Sequence, residues 1–198
     1  MSSVAAQPYG HNHPVSISVS QDLKRSRLTI FFRGLLSLPH MIFMVLWGVA
    51  AALVKTLTWI IGTFTGRLPE GLHNFLVGYV RYSTFVTAYR MYVTEPFPPF
   101  SGKPGVYAPI DVVLPDAEPQ SRLTIFFRPI LAIPAVLMVF LWGIWALLVT
   151  FAAFFYCMFL GRISPGMESQ LANYLRYNVQ TTAYRFRLTA EYPRVSKD

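Results

Sequence analysis

The 198-residue chain is 54% apolar and 16% aromatic but only 13% charged, with a mean hydropathy of +0.41; soluble domains carry about 25% charged residues, so this is a membrane protein's composition. Seventeen Lys and Arg against nine Asp and Glu leave a formal charge of +8. Because the basic residues flank apolar segments, the expected partner is an anionic phospholipid surface and not a nucleic acid, and the lone Cys157 excludes a disulfide framework or a paired zinc or redox motif.

Taken in chain order, residues 1–20 lack the basic and apolar regions of a secretory signal, which leaves targeting to the apolar segments, and residues 1–12 are expected to be a flexible terminus. His11 and His13 have no third or fourth ligand nearby, so no metal site is expected there. From residue 13, Val15, Ile17 and Val19 alternate with serines, the period of a half-buried strand. The basic and aromatic octapeptide SRLTIFFR (26–33) then precedes an apolar run, and it predicts a short interfacial helix whose Arg27 and Arg33 reach phosphates from either flank. The run from Gly34 to Thr65 has Lys55 as its only charge and closes at Gly66-Arg67. Leu72, Phe75, Leu76, Tyr79 and Val86 follow helical spacing, and Tyr89, Met91 and Val93 return to a period of two, predicting an amphipathic helix followed by a strand. Residues 95–109, EPFPPFSGKPGVYAP, read as a semi-rigid linker.

The pattern then repeats. Shifting the chain by 95 residues aligns 26–98 with 121–193 without a gap, and 30 of the 73 pairs are identical, SRLTIFFR included. Ile110, Val112 and Leu114 fall on the first strand, the uncharged run 129–160 on the first apolar run, and Tyr184, Phe186 and Leu188 on the closing strand. The expected organisation is a terminus (1–12), a first membrane repeat (13–95), a linker (96–107), a second repeat (108–193) and a tail (194–198).

The run "RPILAIP", the "GR-x-x-x-G" stop with "LPEG" in the first copy, and "AYRMYVTEPFPPF" resemble a family of bacterial integral membrane proteins known as domain of unknown function 4389. The resemblance covers nearly the whole chain, twice over. It implies membrane residence and bacterial origin, and brings no activity or cofactor with it. A His is expected after the family's "IP"; His40 matches it, but Ala135 stands there in the second copy.

Each apolar run is longer than the roughly 20 residues of a single span and shorter than the roughly 38 of two spans and a turn. Arginines on both sides of each run favour entry and exit at the cytoplasmic face, hence a helical hairpin per repeat, bent near Trp47-Gly48 and Trp142-Gly143; single tilted spans stay open. The fold expected is mostly α: an integral membrane protein with two copies of strand, interfacial helix, transmembrane or re-entrant apolar helices, amphipathic helix and strand. Its strands form a small sheet on the cytoplasmic side, with both termini there.

No acid matches another acid when the repeats are superposed, and no nucleophile, phosphate-binding or dinucleotide motif occurs, so no catalytic residue, metal or cofactor is implied. The candidate headgroup and interface residues are Arg27, Arg33, Arg67, Arg81, Tyr82 and Arg90, with Arg122, Arg128, Arg162, Arg176, Tyr177 and Arg185. Trp47, Gly48, Trp142 and Gly143 are candidates for helix packing or the bend. The leading expectation is a non-enzymatic structural or accessory subunit of the bacterial inner membrane, partnered by other membrane subunits. The alternative is a protein that binds or transports lipid or another hydrophobic ligand in a groove between the repeats.

Overall fold

A computed structural model describes residues 6–9, 12–20 and 22–195. His11 and residues 196–198 of the expected tail lie outside the described residues. The first copy supplies β1 (Ala6–Tyr9), β2 (Ser16–Ser20), α1 (Arg27–Leu36), α2 (Leu38–Thr65) and α3 (Glu70–Arg90); the second supplies β3 (Ile110–Val113), α4 (Arg122–Leu131), α5 (Ile133–Leu160) and α6 (Pro165–Arg185). The protein is thus mostly helical and internally repeated. Part of the terminus expected to be flexible is instead sheet, since β1 pairs antiparallel with β2 from Ala6↔Ser20 to Tyr9↔Ile17.

Each octapeptide is helical, and α1 starts where the Ser26 hydroxyl accepts from the Thr29 amide. Pro39 and Pro134 sit in the first turns of α2 and α5, where a missing N–H is tolerated. Hydrogen bonds from Ser37 N to Arg33 O and from Met41 N to Ser37 O carry the helix past the proline. α1 with α2, and α4 with α5, therefore form two near-continuous rods of 39 residues each. Gly66 and Gly161, at φ 72° and 66°, end them in the left-handed conformation.

Two expectations need correction. There is no hairpin: α2 and α5 run unbroken through Trp47-Gly48 and Trp142-Gly143. The two glycines serve close approach, because a Cβ on Gly48 would lie 3.0 Å from the Tyr79 hydroxyl and one on Gly143 would lie 3.1 Å from that of Tyr174. The closing strands are absent as well. α3 and α6 continue to Arg90 and Arg185, then stop in turns with Tyr92 at φ 60° and Arg187 at φ 64°. Val93 N bonds to Ala88 O and Leu188 N to Ala183 O, the six-to-one bond of a helix-ending turn. The period of two there comes from a helix end followed by its cap.

The two copies interlock about a pseudo-twofold axis. Arg25 N bonds to Gly161 O at 2.9 Å, and the equivalent Gln120 N bonds to Gly66 O at 2.8 Å, so each rod begins beside the end of the other. α1 packs on α5, and α4 on α2. The axis passes between the equivalent residues Ile17 and Val112 of the β2–β3 pair. It then passes through the α3–α6 crossing, where Val80, Ser83, Thr84 and Thr87 face their own equivalents Leu175, Asn178, Val179 and Thr182.

Three layers are stacked along this axis. The sheet buries Val15, Ile17, Val19, Ile110 and Val112 inward and turns Ser16, Ser18, Ser20 and Asp111 outward. α3 and α6 form the middle layer. The rods form the third, and their far side stays uncovered.

Candidate functional site

The exposed stripe of the first rod follows helical periodicity from end to end: Leu28, Phe31, Leu35, Leu38, Ile42, Leu46, Val49, Leu53, Leu57, Ile60 and Phe64. In the second rod, Leu123, Phe127, Ile130, Ile133, Leu137, Phe140, Ile144, Leu148, Phe151, Phe155 and Phe159 do the same. Both rods are long and apolar enough to cross a membrane, and only 11% and 17% of their most apolar windows are buried. The core helix of a soluble domain would be mostly covered.

The expected interface residues fall into two groups. Arg27, Arg67, Arg90, Arg122, Arg162 and Arg185 are exposed, at rod ends or at the ends of α3 and α6. Arg27 caps the end of the other rod, donating to the Phe159 carbonyl at 2.9 Å.

The remaining six are buried inside the protein and not on its surface as expected. Arg81 donates to Val112 O at 3.2 Å and Gly102 O at 3.1 Å, tying α3 to β3 and the linker. Arg176 bonds to the carbonyls of Arg194 and Val195. Tyr82 shares a 2.7 Å hydrogen bond with His40 and stacks on Trp47, while Tyr177 packs on Trp142. Trp47 and Trp142 therefore hold each rod to the middle layer.

Arg33 and Arg128 are the most informative pair. Both are almost fully buried, and both donate to carbonyls of the turn that ends the amphipathic helix: Arg33 to Tyr89 and Thr94, Arg128 to Tyr184 and Thr189. Both lie over a tyrosine ring, at 4.4 Å for Tyr89 and 4.5 Å for Tyr184. Only the first has an acid, the Glu95 carboxylate at 2.6 Å. In the second copy that position is Ala190.

Around Arg128 lies a cavity of about 570 Å³ with Lys55, Arg185 and Arg187 in its wall, completed by Pro129, Ala132, Ile133, Val136, Leu137 and Phe140. Four cations thus share one largely apolar chamber. Arg187 donates to the Lys55 carbonyl and, at 2.9 Å, to Thr58 Oγ1. Burial, and secondarily Arg128, pushes its pKa down to about 10, which leaves it charged at neutral pH. Its Nε, and the Nε and Nη2 of Arg128, are buried without a hydrogen-bond partner.

In the sequence Lys55 stands out only as the lone charge of its run, and no local pattern singles out Arg187. A signal was available. Under the 95-residue shift Lys55 falls on Thr150, Arg187 on Tyr92 and Ala190 on Glu95, so three departures from the repeat surround one arginine.

A second cavity of about 810 Å³ lies between α2, α3 and the linker, with His73, Arg81, Lys103 and Asp116 among its polar residues. Among the described residues no group of three or more His, Cys, Asp or Glu is placed to hold a metal ion.

A family model described as Domain of unknown function (DUF4389) matches the chain twice, over residues 27–102 and 122–196. No curated protein and no solved structure matches it.

Proposed function

The chain belongs to the domain of unknown function 4389 family, as two tandem copies, and from that premise and its layered fold we propose that it is a non-enzymatic bacterial membrane protein seated in one leaflet. Its rods lie in the plane of the membrane, and its sheet stands away from the lipid as a docking platform for other subunits of a larger complex. The observation that carries this reading is the continuous apolar stripe on the rods, opposite a polar sheet on the same pseudo-twofold axis.

Length supports the in-plane orientation. A rod of 39 residues is about 58 Å long at 1.5 Å per residue, against a hydrocarbon core of about 30 Å. A spanning rod would leave nearly half its stripe in water. It would also carry the polar middle layer, which packs against α2 and α5 well inside their ends, to hydrocarbon depth. Lying flat, both rods immerse the whole stripe, and the twofold axis becomes the membrane normal.

Magnitudes agree. Full burial of a Leu or Phe side chain is worth about 1.5–3 kcal/mol, so eleven partly exposed ones amount to on the order of 10 kcal/mol per rod. The exposed arginines at the rod ends then meet anionic headgroups of the cytoplasmic leaflet. Energy on this scale goes into residence.

The test is purification in mild detergent after gentle crosslinking, with mass spectrometry of what accompanies the chain. A reproducible stoichiometric membrane partner is the expected result; a chain that always emerges alone contradicts the platform role.

The second reading, binding of a lipid or hydrophobic ligand, is favoured by one observation: the apolar-walled basic cavity between the rods.

A further inference from the structure

We propose that the cavity around Arg128 is a binding site for a phosphate ester carrying an apolar chain, one per protein and present only in the second copy. The proposal deepens the lipid-binding reading and rests on the chemistry of the chamber.

Lys55, Arg128, Arg185 and Arg187 bring four positive charges to one wall, and no carboxylate lines the cavity. Gathering like charges in a half-enclosed, low-dielectric space is unfavourable unless an anion joins them. The buried Nη2 of Arg128 and Nε of Arg187 have no hydrogen-bond partner, whereas an unpaired Nε is common to Arg128 and its equivalent Arg33, and a buried donor is unfavourable while unsatisfied. A phosphate oxygen satisfies several at once, in the charge-assisted geometry that guanidinium groups favour. The remaining wall, Ile133, Leu137 and Phe140, is apolar and merges with the exposed stripe of the second rod, so an acyl chain leaves the chamber along it.

The first copy shows the same framework without the site. There Glu95 occupies the arginine's free side at 2.6 Å, Tyr92 replaces Arg187 and lies 4.9 Å from the Arg33 guanidinium, and Thr150 replaces Lys55. Counting these positions with Arg90, the first copy carries two cations and one acid where the second carries four cations. A structural role for the buried arginine is met in both copies by its bonds to turn carbonyls. The excess charge of the second copy meets no carboxylate in the cavity wall, although Arg187 also donates to the Lys55 carbonyl and to Thr58 Oγ1.

The test uses the full chain in neutral detergent. Native mass spectrometry is run with dioleoylphosphatidylglycerol, dioleoylphosphatidylcholine and inorganic phosphate as separate probes. One phosphatidylglycerol per chain is expected to survive gas-phase activation. Ala190→Glu supplies the missing carboxylate while leaving the Arg187 contacts in place, and is expected to weaken retention about tenfold, as is Lys55→Thr, each the scale of one charge-assisted hydrogen bond. Glu95→Gln, in the other copy, leaves retention unchanged.

If inorganic phosphate displaces phosphatidylglycerol at millimolar concentration, the site is assigned to a free phosphate; if it does not, to a lipid. Equal retention of phosphatidylglycerol by the native chain and by Ala190→Glu, with both folded by circular dichroism, overturns the proposal. Sedimentation with pure phosphatidylcholine vesicles reports membrane residence separately. Ala190→Glu sediments as the native chain does, so failure of the site and failure of the single-leaflet reading give different results.

Discussion

Arg33 and Glu95 form an ion pair at 2.6 Å in which the arginine side chain is 2% exposed and the glutamate 23%. The guanidinium also bonds to two carbonyls of the turn after α3, so the pair fixes α1 against that turn. Glu95→Ala would leave a buried cation with one partner fewer and is expected to cost about 2 kcal/mol, the lower end for breaking a buried pair because the glutamate is partly hydrated. Chemical denaturation in detergent measures it. Ala190→Glu, which gives Arg128 the same partner, should not destabilise the fold.

How much of this was legible in the sequence follows from periodicity. The duplication, the helical octapeptides, the helices α3 and α6 and the strands at Ile17 and Val112 are written in the sequence pattern, and they are present in the structure. The two unbroken rods were hidden because Trp-Gly pairs suit a bend as well as a close contact, and only the opposite tyrosines decide. The closing strands failed because a helix end and its cap bury alternate residues just as a strand does. Arg81 and Arg176 read as surface anchors because a buried guanidinium satisfied by carbonyls has no sequence signature. The basic cavity joins Lys55 to residues some 130 positions away, which no local pattern records.

Glu168 predicts a pH dependence. Burial raises its carboxyl to about 7, Arg25 at 3.8 Å opposes the rise, and Asp22 adds to it. Its folded-state pKa lies above the unfolded value near 4.5, so the folded state holds the proton more tightly. This group's contribution is complete below about pH 4.5 and is lost as pH climbs to about 7. The thermal midpoint should fall across that window, and Glu168→Gln should flatten the slope.

Gly102 lies against the backbone of α3, and a Cβ there would come within 2.0 Å of the Gly78 carbonyl oxygen. Backbone cannot yield as a side chain does, so Gly102→Ala should cost about 3 kcal/mol or prevent folding. Gly34, in α1, meets nothing within 4 Å of its added Cβ. Gly34→Ala should therefore stabilise by about 0.5–1 kcal/mol through helix propensity. Paired denaturation curves of the two variants read the contrast.

Arg81→Gln should separate structure from membrane affinity. The side chain is buried and holds Val112 and Gly102, so its loss should lower stability by about 2 kcal/mol. Binding of the folded variant to anionic vesicles should match that of the native chain. Neutralising exposed Arg67 and Arg162 together should do the reverse, weakening vesicle binding by about 2 kcal/mol at low salt with little change in unfolding.

The orientation of the rods is tested most directly by the depth of nitroxides placed one at a time at Phe31, Leu46 and Phe64, measured by power saturation in bilayers. Rods lying in the membrane plane give three similar, shallow immersion depths. A deep label at Leu46 between two water-exposed labels at Phe31 and Phe64 would show a spanning rod and contradict the single-leaflet account.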